Sequence, residues 1–245
     1  MEIIGSGAQA DVYKDGSKAI KLFKYNIQKE EIENEVNLQK MAFDYGLPVP
    51  QVFDMVEING KYGIVMEYID GIPIGSIVLN NMSKLNDYLI KSIEIQDNIH
   101  KIETDGFPGM KNTLKNQILR ANELNITKKN EILEKLETTL FGNKLYHGDM
   151  HILNLIETSN GIKIIDWACA GSGNPDADIY RTYLLYRVTR EYIAELYLDT
   201  YCELKKLDKH KILAWGPIMA AARLGEYTKD GKERDILRGI INILP

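Results

Sequence analysis

One stretch restricts this chain more than any other. Tyr146-His147-Gly148-Asp149-Met150-His151-Ile152-Leu153-Asn154 is followed by Gly161-Ile162-Lys163-Ile164-Ile165-Asp166-Trp167. An Asp and an Asn stand five residues apart, and a second Asp ends a β-branched apolar run that reads as a buried strand. Chemically this is a base with two oxygen ligands for a hard cation. Mg²⁺ favours carboxylate and amide oxygens completed by water and phosphate. The plainer alternative is a polar loop capping a strand, with Asn154 in a turn and Asp166 as a helix cap.

A chain of 245 residues is long enough for one large domain or two lobes. Its 44% hydrophobic and 27% charged residues are ordinary for a globular protein. No apolar run approaches the roughly 20 residues that span a bilayer, and Met1-Glu2-Ile3-Ile4-Gly5 has no leader character. Cys169 and Cys202 are too few for a disulfide framework, so a cytoplasmic protein with reduced thiols is expected. A formal charge of −5 argues against a general nucleic-acid or anionic-membrane surface. Residues 1–79 carry 12 acidic and 7 basic side chains, whereas residues 170–245 carry 11 and 12, so the acidity lies near the N-terminus.

Residues 2–23 read as three short strands. Gly5-Ser6-Gly7 turns between the first two, Asp15-Gly16 signals a hairpin, and Lys21 lies on the third, flanked by Ile20 and Leu22. A dinucleotide fold would need a helix directly after the glycines, and a strand follows instead. A glycine-rich hairpin with a lysine on the next strand is another way to cover nucleotide phosphates, because bare backbone N–H groups approach closely. A surface lysine is the competing reading of Lys21. Residues 27–45 suit a helix that Gly46-Leu47-Pro48 stops. Glu35 on that helix either pairs with Lys21 or joins Glu30, Glu31 and Glu33 on a solvated face. Val52–Val56 and Tyr62–Met66 form a hairpin about Asn59-Gly60, and Met66-Glu67-Tyr68-Ile69 runs out as a connector.

From about Ile74 onward the chain reads as mostly helical outside the central segment, with helices over Leu85–Ile102, Thr113–Asn122, Lys128–Leu140 and Asp176–Arg190. Breaks are expected near Leu207-Asp208 and Lys229-Asp230-Gly231. The architecture is therefore α+β, with a small antiparallel-sheet lobe over residues 1–70 and a mostly helical lobe over residues 71–245.

Taken in order, these residues resemble the aminoglycoside phosphotransferase and choline kinase family, the small-molecule branch of the protein-kinase-like fold. The resemblance implies that Gly5, Ser6 and Gly7 cover the nucleotide, and that Lys21, partnered by Glu35, holds its phosphates. Glu67 and Ile69 would meet the adenine through their backbone. Asp149 would be the catalytic base, and Asn154 and Asp166 the Mg²⁺ ligands. Asp176-Ala177-Asp178 resembles the start of a helix that braces the catalytic loop.

ATP or GTP would be the donor and a small-molecule hydroxyl the acceptor, in a protein favoured as a monomer. Only eleven residues separate Asp166 from Asp178, which leaves no room for a long activation segment and favours a small acceptor over a protein. Trp215, Tyr227 and neighbouring tyrosines either form a cage for a quaternary ammonium or belong to the core, the latter being preferred. Two alternatives remain open: a catalytically silent ATP-binding module and an atypical protein kinase.

Overall fold

Residue pairs that tolerate positive φ set the turns of the N-terminal sheet. Asn59 and Gly60, at φ 52° and 75°, join two strands by the tight turn that Asn-Gly favours. The computed structural model describes residues 1–226 and 231–242. In chain order, the first half gives β1 (Glu2–Ser6), β2 (Ala10–Asp15), β3 (Lys18–Phe23), α1 (Lys29–Asp44), β4 (Val52–Ile58), β5 (Lys61–Glu67), β6 (Ile72–Pro73), α2 (Ile74–Asn80) and α3 (Leu85–Ile99). Then follow α4 (Met110–Arg120), α5 (Ile126–Thr138), β7 (Lys144–Tyr146), β8 (Leu155–Thr158), β9 (Gly161–Ile164) and β10 (Gly171–Gly173). The described C-terminal helices are α6 (Pro175–Arg187), α7 (Glu191–Lys205), α8 (Lys209–Leu213), α9 (Gly216–Leu224) and α10 (Gly231–Ile241).

The α+β class expected from the sequence is the class observed. By packing, the chain divides into two compact units. Met1–Lys84 joins Ile152–Cys169 in the first, and Leu85–His151 joins Ala170–Pro245 in the second.

The first unit holds an antiparallel sheet in the order β1-β2-β3-β5-β4, with α1 against it. Ile32 and Val36, four residues apart and so on one face of α1, pack with Ala10, Phe23, Val52 and Ile64. A second small sheet, β6-β8-β9, completes this unit. In the second unit, α6 packs on α7, and α9 packs on α4 and α10. β7 and β10 form an antiparallel ribbon pairing Tyr146 with Gly171.

Several boundaries differ from expectation. The helices foreseen at Thr113–Asn122 and Lys128–Leu140 begin earlier, at Met110 and Ile126, and end at Arg120 and Thr138. Asn125 caps α5 by accepting from the Lys128 N–H at 2.8 Å, the polar N-cap that fixes its start. The strand β8 lies directly after Asn154, in a run to which no element was assigned from the sequence. The break at Leu207-Asp208 is present between α7 and α8. Lys229 and Asp230 of the next expected break lie outside the described residues.

Candidate active site

Lys21 projects from the middle of β3, where Val12 and Ile64 are its neighbours on the adjoining strands. Its Nζ donates to Glu35 Oε1 at 2.6 Å and to Asp166 Oδ1 at 3.2 Å. Glu35 reaches it because the buried stripe of α1 passes through Ile32, Glu35, Val36 and Gln39, while Glu30, Glu31 and Glu33 stay exposed. The pairing reading of Glu35 therefore holds over the solvated-face reading.

Burial pushes the Lys21 ammonium down, but the charges of Glu35 and Asp166 outweigh it and hold Lys21 above its ordinary value. Burial, helped by the Asp166 charge, holds the Glu35 carboxyl above its usual range against the pull of Lys21. One ammonium is thus shared between two carboxylates.

These three residues line a cavity of about 180 Å³ within the first unit. Val12, Ala19, Met66, Ile156 and Ile165 supply apolar walls, and Glu67, Tyr68 and Ile69 of the connector form one side. The Glu67 and Tyr68 N–H groups donate to Gln51 and Ser17 carbonyls at 2.8 and 3.1 Å. Among the described residues the Ile69 N–H has no such partner, so the connector offers one free donor to a flat polar edge.

Asn154 and Asp166 are brought together by the β8–β9 hairpin. Leu155 pairs with Ile164, and the Ile165 N–H donates to the Asn154 carbonyl at 3.0 Å, so the two strand ends lie side by side. Asp166 adopts φ 65°, a conformation uncommon for a residue with a side chain and concentrated at functional sites. Its side chain keeps 41% of its surface accessible. A carboxylate and an amide, both hard oxygen donors, fit Mg²⁺ completed by water and phosphate.

In the second unit, Asp149 follows β7 in a loop fixed from several sides. Gly148 turns at φ 77°, which a glycine adopts freely. Its N–H donates to Asp178 Oδ1 at 3.0 Å, and its carbonyl accepts from Arg181 Nε at 3.2 Å. The Asp149 N–H donates to His147 Nδ1 at 3.2 Å, and His151 Nε2 lies 3.5 Å from Asp149 Oδ1.

Asp178 itself is buried at the start of α6, 2.9 Å from His100 Nε2 and accepting from Gln96 at 2.8 Å. Burial alone would raise its carboxyl, yet the hydrogen bond and charge of His100, with Gln96, hold it below the usual range. Arg181 also pairs with Glu226 at 2.8 Å, which anchors α6 to the segment after α9.

Gly5 and Ser6 belong to β1, and Gly7 starts the turn into β2, with its N–H donating to the Ala10 carbonyl at 2.8 Å. None of the three is among the residues that line the cavity, whereas the neighbouring Ile4 and Val12 are. Trp215 is buried edge-on to Phe141, with ring centroids 5.5 Å apart, as a core residue; Tyr227 lies outside the described residues.

A model of the phosphotransferase enzyme family matches residues 1–215. The chain belongs to the phosphotransferase enzyme family. It is accordingly an enzyme of the kinase type. Among solved structures, this phosphotransferase is similar to a thermostable mutant of aminoglycoside phosphotransferase APH(4)-Ia in ternary complex with ADP and hygromycin B. Identity is 12%, with 98% of this chain and 91% of that one covered at a TM-score of 0.72. It is also similar to choline kinase LicA from Streptococcus pneumoniae, at 18% identity, 99% and 93% coverage and a TM-score of 0.62. These likenesses show that the kinase-like fold inferred from the motifs is the fold of this phosphotransferase. The EKC/KEOPS complex subunit BUD32 of Enterocytozoon bieneusi is 28% identical over 191 residues, 73% of this chain and 76% of that protein.

Sequence reasoning missed Gln39, buried one turn after Glu35, whose Nε2 donates to the Pro50 carbonyl at 2.8 Å beside the cavity. The signal was present, since i+4 from a buried residue lies on the same helix face. It also missed Arg181, whose partners are distant in sequence.

Proposed function

We propose that this phosphotransferase moves the γ-phosphate of ATP, or of GTP, to a hydroxyl of a small molecule. One observation carries the reading: Lys21, Glu35 and Asp166 meet at a single cavity, with Asn154 placed beside Asp166 by the hairpin. The purine would lie against the apolar walls, with the Ile69 N–H and the Glu67 carbonyl as its backbone partners. Lys21, charged and steadied by Glu35, would hold phosphate oxygens. Asn154 and Asp166 would hold Mg²⁺, which when bound neutralises charge on the phosphates.

Asp149 would accept a hydrogen bond from the acceptor hydroxyl, align its oxygen and take the proton as the new O–P bond forms. The nucleoside diphosphate leaves as the old O–P bond breaks. His147 and Asp178 hold the loop backbone at Asp149 and Gly148 in place. We retain the functional division into a nucleotide-binding lobe, residues 1–70, and a catalytic and acceptor-binding lobe, residues 71–245.

The structural relatives support this reading by what they hold: ADP with hygromycin B in one, and AMP in a choline kinase complex. The acceptor is an aminoglycoside-, choline- or sugar-like alcohol. Among the described residues no helix is long and apolar enough to cross a membrane. A second reading, an atypical protein kinase, draws support from the relative named as the EKC/KEOPS complex subunit BUD32.

A coupled ADP-release assay over aminoglycosides, choline, homoserine, methylthioribose and sugars separates the two. Release that depends on one hydroxyl compound is expected. ATP turnover indifferent to every acceptor, with autophosphorylation instead, would favour the second reading.

A further inference from the structure

The turn between β1 and β2 is closed by the Gly7 N–H donating to the Ala10 carbonyl at 2.8 Å, and behind it Ser6 Oγ donates to Asp11 at 2.6 Å. Lys24, the residue after β3, grips this turn twice. Its main-chain N–H donates to the Gln9 carbonyl at 2.8 Å, and its Nζ donates to the Gly7 carbonyl at 2.6 Å. The Gly7 carbonyl shares a peptide plane with the Ala8 N–H, and no peptide bond described here is cis. In a trans peptide these two groups point in opposite directions, so pinning one aims the other. Among the described residues the Ala8 N–H has no hydrogen-bond partner.

We propose that Lys24 is a positioning residue for the donor nucleotide, holding the Gly7 carbonyl so that the Ala8 N–H is left pointing away from it as a phosphate contact. The assignment rests on the reading of this unit as the nucleotide site, and within the turn it places a backbone contact at Ala8 rather than at Gly7. The Gly7 N–H, already engaged by Ala10, is not the donor.

The test titrates wild type, Lys24→Met and Lys24→Arg with MgATP and with adenosine, and follows amide exchange at Gly7 without nucleotide. Lys24→Met should weaken MgATP about tenfold, the size of one lost charged hydrogen bond, while adenosine changes less than about twofold. The Gly7 amide should exchange faster in Lys24→Met, and Lys24→Arg should recover most of the MgATP affinity. An unchanged MgATP affinity, an equal loss for adenosine, or unaltered Gly7 exchange in Lys24→Met would each overturn the role. If wild type binds neither ligand, the nucleotide-site reading itself fails and takes this assignment with it. Wild-type binding with an indifferent Lys24→Met refutes the assignment alone.

Discussion

Asp149 is held by its backbone N–H on His147, and its carboxylate lies 3.5 Å from His151 Nε2. Replacement by Asn keeps size and the loop bonds but removes the proton acceptor. Asp149→Asn should lower turnover by about 10²–10⁴-fold, the usual contribution of a positioned base, with nucleotide affinity nearly unchanged. Steady-state kinetics with a binding titration checks both. At this scale Lys21, Asp149, Asn154 and Asp166 were legible because their chemistry is carried by residue type and spacing. From spacing alone Glu35 was one of four glutamates on a helix, and only the family resemblance singled it out; tertiary packing selects it, through the phase set by Ile32 and Val36. Arg181 and Gln96 were not legible, since their partners Gly148 and Asp178 are more than thirty and eighty residues away.

The helix α1 positions Glu35 by burying its apolar stripe against the sheet, so its packing and the site are coupled. Ile32 is 1% exposed in that core. Ile32→Ala should cost about 2–5 kcal/mol, the range for truncating a buried Ile. It should also raise the KM for the nucleotide more than it lowers kcat, because the Lys21–Glu35 pair is loosened rather than removed. Chemical denaturation and kinetics together read this out; a stability loss with unchanged KM would show that the helix does not steer the pair.

The hairpin β8–β9 does comparable work for Asn154 and Asp166. Only β9 was legible, as a β-branched run, because β8 follows the loop without a turn signal between them. α2 begins at Ile74, where the helical part was expected to start, but it was not delimited as a helix of its own because its apolar residues have no clear period.

For the molecule as a whole, two carboxylates, one buried at Asp178 and one half-buried at Glu226, set its response to acid. Asp178 is held below the usual range by His100 and Gln96 against its burial, and Glu226 by Arg181 and Arg223 against its own. A depressed folded-state pKa gives stability that is complete above the unfolded value of about 4 and lost as pH falls through the folded value. Glu35 has the opposite sign. Its raised carboxyl favours the folded state most below the unfolded value, and that contribution fades as pH rises. The melting temperature should therefore fall steadily as pH drops below about 4, and the fall should be shallower in Asp178→Asn, which removes one of the titrating groups. Equal slopes for the two proteins would contradict the assignment.

Family membership fixes the reaction class at this scale, while the acceptor depends on surfaces that composition did not resolve. The most direct measurement is a crystal structure with a non-hydrolysable ATP analogue and Mg²⁺. The account predicts Lys21 Nζ on phosphate oxygens, with the side-chain oxygens of Asn154 and Asp166 on the ion. A bound nucleotide whose phosphates and metal lie away from all three residues would contradict it.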